Sequence, residues 1–189
     1  MNTPGLILAS QSPRRKDLLA TLGISFEIVA SGVEEVVHSD DGPRGLVLEN
    51  AHRKAADIAR SFPDCWVLGS DTVVALGDRT FGKPKSLGEA ASMLGALQGQ
   101  VHEVFTGICL LRNDEKEHWA EVTRVGFRRL SPDQIANYLE QIDPLDKAGA
   151  YAIQEGGERI VSCVEGSLSN VVGLPLDSLE PVLERLGIK

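Results

Sequence analysis

The sequence predicts an α/β protein with a mixed β-sheet, and three kinds of pattern support that class. Short apolar runs such as Leu6-Ile7-Leu8-Ala9 are typical of buried strands. Apolar residues at three- and four-residue spacing indicate amphipathic helices. Two long, partly alternating stretches around Asn113-Asp114 predict an antiparallel hairpin. Because helices and strands neither alternate strictly nor segregate, we expect one domain over residues 1–189 that can bend into two lobes.

The first strand is predicted to lead into a helix with clear start and stop signals. Ser12 is in the N-cap position and Pro13 in the first helical position, where a missing N–H costs no hydrogen bond. Leucines give this helix one apolar face, and Gly23 ends it. The stretch from Phe26 to Val29 then indicates a second strand.

A long helix and an apolar strand are predicted next. The helix begins at Gly42-Pro43 and stops at Phe62-Pro63-Asp64. The strand runs from Trp66 to Leu76 and contains the polar group Gly69-Ser70-Asp71-Thr72, so we expect it to be interrupted or twisted there. Gly77-Asp78 after it is typical of a turn.

The second half of the chain carries two capping-box patterns, Ser86 with Glu89 and Ser131 with Gln134. The predicted elements are, in order, a helix from Ser86 to Leu97, hairpin strands from Val101 to Leu111 and from His118 to Leu130, a helix from Ser131 that ends before Asp143-Pro144, a strand from Ile160 to Val164 and a last helix that ends at Gly187.

The chain is acidic, and this limits the anions that it can bind. Its 19 basic and 27 acidic residues give a net charge of −8. A broad surface for nucleic acid or an anionic membrane would need net positive charge, so neither is an expected partner. A single phosphate site remains compatible with this charge if a few cations converge locally.

Cysteine use and the N-terminal segment predict a cytoplasmic protein. The cysteines Cys65, Cys109 and Cys163 are far apart and odd in number, which favours three small buried core residues in a reducing compartment. Arg14, Arg15 and Lys16 interrupt the first apolar stretch, so no signal peptide is predicted. No apolar run approaches the roughly 20 residues of a membrane-spanning helix.

The segment Ser10-Gln11-Ser12-Pro13-Arg14-Arg15 is a candidate anion site. A helix start offers unpaired N–H groups and partial positive charge, which suit a phosphate. Two arginines in a first turn oppose the helix dipole, and their position is easier to explain if they bind phosphate. The alternative is an ordinary capped helix with solvated arginines.

Three lysines could add to a phosphate site, although each alone is weak evidence. Lys54 continues the apolar stripe of the second helix, where lysines often extend their charged end to solvent instead. Lys83 lies in the loop Gly82-Lys83-Pro84-Lys85, and Lys147 follows Asp146.

Asp71 is the most conspicuous acid in the sequence. In its apolar strand context a carboxylate is costly unless it is paired or bound to metal. Asp71 is therefore a candidate general base or metal ligand. Local capping of the backbone is the alternative. Glu34 and Glu35 could supply a second carboxylate, although acidic pairs in loops are usually solvated.

Several common site patterns are missing from the sequence. It has neither the Walker loop nor the Gly-x-Gly-x-x-Gly fingerprint of nucleotide-binding proteins. The four histidines are dispersed without metal-ligand spacing, and no Cys-x-x-Cys pair occurs. The Gly-x-Ser-x-Gly elbow is also absent, which disfavours acyl hydrolysis.

A series of motifs nevertheless resembles the Maf family, which was first named for inhibitors of septum formation and contains nucleoside triphosphate pyrophosphatases. The motifs occur in family order and cover nearly the whole chain. They are Ser10-Gln11-Ser12-Pro13-Arg14-Arg15, Gly69-Ser70-Asp71-Thr72-Val73-Val74, Gly82-Lys83-Pro84, Asp146-Lys147-Ala148-Gly149-Ala150-Tyr151-Ala152-Ile153-Gln154 and Val171-Val172-Gly173-Leu174-Pro175.

The resemblance implies a fold, an assembly and a cofactor. The implied fold is that of inosine triphosphate pyrophosphatases, an elongated mixed sheet flanked by helices, with two lobes and a central cleft. The resemblance also implies a homodimer, a divalent metal (Mg²⁺ or Mn²⁺) and a housecleaning role on nucleoside triphosphates.

The motifs also imply roles for individual residues. Asp71 matches the family's catalytic proton acceptor, and Glu35 resembles the second acid that holds the metal together with it. The residues that match the family's phosphate-binding positions are Ser10, Ser12, Arg15, Lys54 and Lys83.

Three positions separate the subgroups of the family, and here they are Arg14, Thr72 and Gln154. This set resembles the branch that acts on dTTP and UTP more than the branch that acts on 7-methyl-GTP. Two departures stand out: Arg53 replaces a usual glutamate, and Thr106-Gly107 resembles the other branch. A regulator of septation that binds nucleotide without hydrolysing it is the alternative function.

Overall fold

In a computed structural model that describes residues 5–188, the chain forms one seven-stranded mixed sheet. The sheet has the order β2-β1-β3-β5-β6-β7, and β4 pairs with β3 off this path. Its strands are β1 (Leu6–Leu8), β2 (Glu27–Ile28), β3 (Trp66–Leu76), β4 (Arg79–Phe81), β5 (Val101–Arg112), β6 (Glu115–Phe127) and β7 (Val161–Glu165). The β1 pairings with β2 and β3 are parallel, and the other pairings are antiparallel.

Helices flank the sheet. They are α1 (Pro13–Ala20), α2 (Gly42–Ala59), α3 (Leu87–Leu97), α4 (Pro132–Leu139), α5 (Gly157–Ile160), α6 (Leu168–Val172) and α7 (Leu176–Arg185), with 3₁₀ turns at Pro144–Asp146 and Ala148–Ala150. Within residues 5–188, none of these helices combines the length and the apolar character needed to span a bilayer.

Two of the hydrophobic clusters lie at opposite ends of the three long strands and correspond to the two lobes. One cluster packs α3 and α4 on the ends of the strands and includes Val74, Phe81, Leu94, Phe127 and Tyr138. The other packs α1 and α7 on β1 and the opposite ends of the long strands, and it includes Leu8, Leu19, Trp66, Leu110 and Leu183. The polar middle of β3 lies between these two cores.

Two glycines let helix α2 lie directly on the sheet. A methyl group at Gly69 of β3 would overlap the carbonyl oxygen of Ala51, and one at Gly107 of β5 would overlap that of Val47. Because β3 and β5 are neighbours, the two glycines form a continuous shallow seat for the helix backbone. This close approach brings the polar side chains of α2 within hydrogen-bond distance of Asp71 in the middle of β3.

Most predicted elements are confirmed, including the hairpin whose turn contains Asn113 with a positive φ of 50°. The second hairpin strand begins at Glu115 and ends at Phe127, earlier than predicted at both ends. The Ser131–Gln134 capping box is complete, whereas the Glu89 side chain accepts from Lys85 N–H instead of from the cap residue Ser86.

Two expectations about individual segments are wrong in part: β3 is not interrupted, and one of the three cysteines is not buried. Strand β3 is continuous through its polar group, because every position from Val67 to Ala75 finds a partner in β5. Cys65 and Cys109 are buried as expected, but Cys163 is exposed because it lies on β7, the edge strand of the sheet.

The buried histidine of β5 makes stability depend on pH. His102 is 1% exposed, and its Nε2 lies 2.9 Å from the Tyr151 hydroxyl. Burial lowers the pKa of His102 from 6.5 to about 4, so the unfolded chain binds this proton first as the pH falls. The free energy of unfolding therefore decreases as the pH falls below 6.5. It stops decreasing from this cause once the pH is below the folded-state pKa of about 4.

We expect this histidine to remove about 2 kcal/mol from the free energy of unfolding between pH 7 and pH 5. Urea unfolding at the two pH values, for wild type and for His102→Gln, measures the contribution directly. The matched control is His38→Gln, since His38 is exposed and this variant should keep the wild-type pH dependence. An equal loss of stability in His102→Gln and wild type would contradict the assignment.

Candidate active site

A cleft of about 720 Å³ lies between the two lobes. One wall is formed by the loop after β1, the first turn of α1 and the loop before α2, and the opposite wall by the 3₁₀ segment and its continuation. The middle of β3 forms the floor. All the residues proposed from the sequence line this cleft, namely Ser10, Ser12, Arg14, Arg15, Glu35, Lys54, Asp71, Thr72, Lys83 and Gln154.

The centre of the cleft is an ammonium group held between two carboxylates. Lys54 Nζ lies 2.6 Å from Glu35 Oε1 and 2.7 Å from Asp71 Oδ1. It also donates to the Ser70 carbonyl oxygen at 3.3 Å. Lys54 and Asp71 are each 8% exposed, so neither the solvated lysine nor the backbone-capping aspartate considered above describes them. A charge cluster this deep in the protein is costly unless its members compensate one another.

The charges of the cluster set the protonation of Glu35. Burial alone would raise the pKa of this carboxyl, but Lys54, with smaller contributions from Lys83 and Arg15, holds it below its ordinary value. Glu35 is therefore a carboxylate at neutral pH. Since its carboxyl group remains partly open to solvent, it can approach a ligand in the cleft.

Arg15 is fixed by three acceptors beside this cluster. Its Nε donates to the Gly173 carbonyl oxygen at 2.9 Å, its Nη2 to Thr72 Oγ1 at 3.0 Å and its Nη1 to Ser10 Oγ at 3.4 Å. Burial lowers the pKa of the guanidinium, and the charges of Asp71 and Glu35 oppose this shift. The residue remains a cation whose direction is set before any ligand arrives, and the solvated alternative does not apply to it.

The loop before α1 has the geometry that the sequence predicts. Ser12 caps the helix by accepting from Arg15 N–H at 3.4 Å, and its own N–H donates to Ser10 Oγ at 3.1 Å. The first turn of α1 therefore opens toward the cleft, with the Arg15 side chain beneath it. Lys83 lies on the opposite rim of the cleft and is exposed.

The three positions expected to determine specificity have different surroundings. Arg14 reaches the opposite wall, where its Nη1 lies 2.6 Å from Asp146 Oδ2 and its Nη2 donates to the Asp146 carbonyl oxygen at 3.0 Å. Gln154 is exposed on that wall. Thr72 lies on the floor between Arg15 and Thr106, whose hydroxyl is 3.0 Å away. Thr72 therefore lines the cleft and also accepts a hydrogen bond from Arg15.

Sequence reasoning missed two polar contributors to this site. Asn50 donates to Asp71 Oδ2 at 3.1 Å, and Asp146 holds both Arg14 and Lys147. Asn50 interrupts the same apolar stripe of α2 as Lys54, and this second polar residue on a buried face was the available signal. The contact between Arg14 and Asp146 has no comparable signal, since 132 positions separate the two residues.

The two carboxylates suit a divalent metal that is shared with a ligand. Among residues 5–188, no group of three or more histidine, cysteine or acidic side chains could hold a metal by itself. Glu35 Oε1 and Asp71 Oδ1 nevertheless converge within 2.7 Å of one nitrogen, that of Lys54. Mg²⁺ commonly takes one or two carboxylates and completes its shell with water and substrate phosphates. The residues present therefore fit such an ion.

Comparison with known proteins identifies the family. The model of a family described as Maf-like protein matches residues 5–186. The chain belongs to the Maf-like protein family. The resemblance stated from the motifs is thereby confirmed, whereas the roles of individual residues stay predictions.

Curated relatives of this Maf-like protein are similar over nearly their whole length. A protein of Myxococcus xanthus named dTTP/UTP pyrophosphatase is 46% identical over 183 residues, which cover 97% of this chain and 93% of the relative. Proteins of the same name from Akkermansia muciniphila and Gloeobacter violaceus are 42% and 45% identical, over 98% and 96% of this chain and 98% and 95% of the relatives.

A solved structure supports the expected fold. The Ham1 protein of Staphylococcus aureus aligns with 96% of this Maf-like chain and with 98% of its own chain, at a TM-score of 0.57 and 15% identity. At this identity the likeness concerns the fold alone. It confirms the elongated mixed sheet with flanking helices that the motifs implied.

Proposed function

We propose that this Maf-like protein is a pyrophosphatase that hydrolyses dTTP and UTP to the monophosphate and pyrophosphate. The observation that carries the proposal is the cluster of Asp71, Lys54 and Glu35 in a cleft edged by further cations, in which Asp71 and Lys54 are buried and Glu35 reaches Lys54 from the wall. Relatives named for this activity, at 42–46% identity over almost the full chain, support the choice of substrate.

The cations of the cleft are suited to hold a triphosphate. Arg15 is preorganised by its three acceptors, and Lys83 lies on the rim with its side chain exposed. Lys54 has a long side chain that can turn from the carboxylates toward phosphate oxygens. We propose that these three residues, with Ser10 and Ser12 in the same loop, stabilise charge on the pyrophosphate leaving group.

Asp71 is the proposed general base. A water molecule attacks the α-phosphorus, the bond to the β-phosphate oxygen breaks, and the water proton passes to the Asp71 carboxylate. Asp71 and Glu35 would hold Mg²⁺ or Mn²⁺ together with phosphate oxygens. Such an ion, when bound, polarises the phosphate chain and neutralises part of its charge.

We further propose that Arg14, Thr72 and Gln154 select the base. Gln154 offers an amide donor and an acceptor at the cleft surface, which is what the edge of uracil or thymine requires. Well-made contacts of this kind discriminate by about 1–3 kcal/mol each. Arg14 would contribute to base selection while its guanidinium is held by Asp146. Thr72 would contribute by orienting Arg15. The homodimer and the cytoplasmic location stay predictions of the sequence.

A regulator that only binds nucleotide is less well supported. Binding alone would use the cations and the base contacts, but it would not need a carboxylate that is 8% exposed and turned toward the cleft. The cost of burying Asp71 is easier to explain when the group takes part in chemistry.

Pyrophosphate release from a panel of nucleotides tests the proposal. The panel includes dTTP, UTP, the purine triphosphates and 7-methyl-GTP, each with Mg²⁺, with Mn²⁺ and with a chelator. We expect release from dTTP and UTP above the other nucleotides, and its loss in the chelator. No release from any nucleotide would instead favour the regulator.

A further inference from the structure

One buried amide side chain links the Asp71 carboxylate to the backbone of the segment that carries Glu35. Asn50 is 3% exposed and lies on α2, one helical turn before Lys54. Its Oδ1 accepts from Val36 N–H at 2.8 Å, and its Nδ2 donates to the Val36 carbonyl oxygen at 3.0 Å and to Asp71 Oδ2 at 3.1 Å. The donors and the acceptor of the amide are therefore in use, which fixes its orientation.

These bonds connect two parts of the site that the backbone leaves separate. Val36 follows Glu35 in a segment between β2 and α2 that has no regular secondary structure, whereas Asp71 lies in the rigid strand β3. The Asn50 amide hydrogen-bonds both the N–H and the carbonyl oxygen of Val36, as the backbone of a neighbouring β-strand would. The position of Glu35 beside Asp71 thus depends on a side chain of α2.

Asn50 and Lys54 divide the oxygens of Asp71 between them. Lys54 holds Oδ1, and Asn50 holds Oδ2. Lys54 is long, and in the proposed reaction it turns toward phosphate. Asn50 has only two side-chain torsions, and its amide group makes three hydrogen bonds. It can therefore stay in place while Lys54 moves. Asp71 then keeps its direction throughout the reaction.

We propose that Asn50 is a positioning residue that holds Asp71 and the Glu35 loop in register for catalysis. This inference rests on the proposed function of the cleft. Replacing a residue that orients a metal-binding group typically lowers metal affinity or activity about 10- to 100-fold. We expect Asn50→Ala to lower kcat for dTTP by about this 10- to 100-fold factor and to leave KM within the same order of magnitude.

Asp57 provides a matched control on the same helix. Its Oδ2 accepts from Ser31 Oγ at 2.8 Å and from Gly32 N–H at 3.2 Å, so it anchors the same loop at another point without touching Asp71. Asp57→Ala should keep kcat within the same order of magnitude as wild type. Equal losses of kcat in Asp57→Ala and Asn50→Ala would overturn the proposal, because loosening of the loop would then explain both.

Hydrogen exchange supplies a readout that does not depend on turnover. In Asn50→Ala, the Val36 amide should exchange faster than in wild type, and in Asp57→Ala the faster amide should be that of Gly32. Unchanged exchange at Val36 in Asn50→Ala would overturn the proposed tether. If wild type releases pyrophosphate from no nucleotide, the proposed function fails, and this exchange comparison still tests the tether on its own.

A second variant separates the two contacts and protects the test against misfolding. Asn50→Asp has the same shape and keeps an acceptor for Val36 N–H, but it loses the donors to the Val36 carbonyl and to Asp71. We expect Val36 to remain protected and kcat to fall by at least as much as in Asn50→Ala. Wild-type kcat in Asn50→Asp, or a loss confined to KM in either variant, would overturn the role of Asn50.

Discussion

Asp71→Asn is expected to lower kcat for dTTP by about 10²- to 10⁴-fold, the usual contribution of a general base. The amide has nearly the same shape and can still accept from Lys54, so the cleft should keep its cations in place. Binding of a non-hydrolysable dTTP analogue, measured by calorimetry in a chelator, should therefore change much less than kcat.

The matched control is Asp114→Asn, an identical change in the exposed turn of the hairpin. It should leave both kcat and analogue binding at wild-type values. Near-normal turnover in Asp71→Asn would contradict the assignment of the base. A large loss of analogue binding with little loss of kcat would instead give Asp71 a role in binding.

Gly69→Ala is expected to have the largest effect on the fold, because its methyl group would overlap the carbonyl oxygen of Ala51. The Ala55 backbone nitrogen would lie only 2.8 Å from the new carbon, so the overlap is with helix backbone and can be relieved only by moving α2 away from the sheet. We expect a loss of about 3 kcal/mol in the free energy of unfolding, at the upper end for overpacking. Displacement of α2 would also move Lys54 from Asp71, and a misplacement of about 1 Å can cost about 10²-fold in kcat.

Gly95→Ala in α3 is the control for this substitution. Gly95 is an exposed glycine inside a helix, and an added methyl group there meets no atom within 4 Å. Alanine should stabilise the helix by about 0.5–1 kcal/mol and leave kcat unchanged. Urea unfolding and dTTP turnover of both variants test the seat of α2. Equal stabilities of the two variants would contradict it.

Much of the fold could be predicted because its signals are local. The Ser12 cap, the Asn113 turn and the apolar run before α1 each depend on a few adjacent residues. Motifs whose order matches a family also pointed to residues that the structure brings together in one cleft. Asp71 was conspicuous from the sequence because a carboxylate in an apolar strand is costly.

The rest of the site depends on contacts that no local pattern contains. Lys54 is buried instead of solvated because Gly69 and Gly107, on two different strands, let α2 reach the sheet. Asn50 and Asp146 acquire their roles only from partners in other elements. Cys163 is exposed because its strand is the last one in the sheet, and strand order could not be derived from the sequence.

We propose that this cleft cleaves a nucleoside triphosphate between its α- and β-phosphates. The most direct measurement is the product composition after dTTP turnover with Mg²⁺, resolved by anion-exchange chromatography. We predict dTMP and pyrophosphate in equal amounts, formed by wild type and about 10²- to 10⁴-fold more slowly by Asp71→Asn. Formation of dTDP and inorganic phosphate, or of no product, would contradict the account.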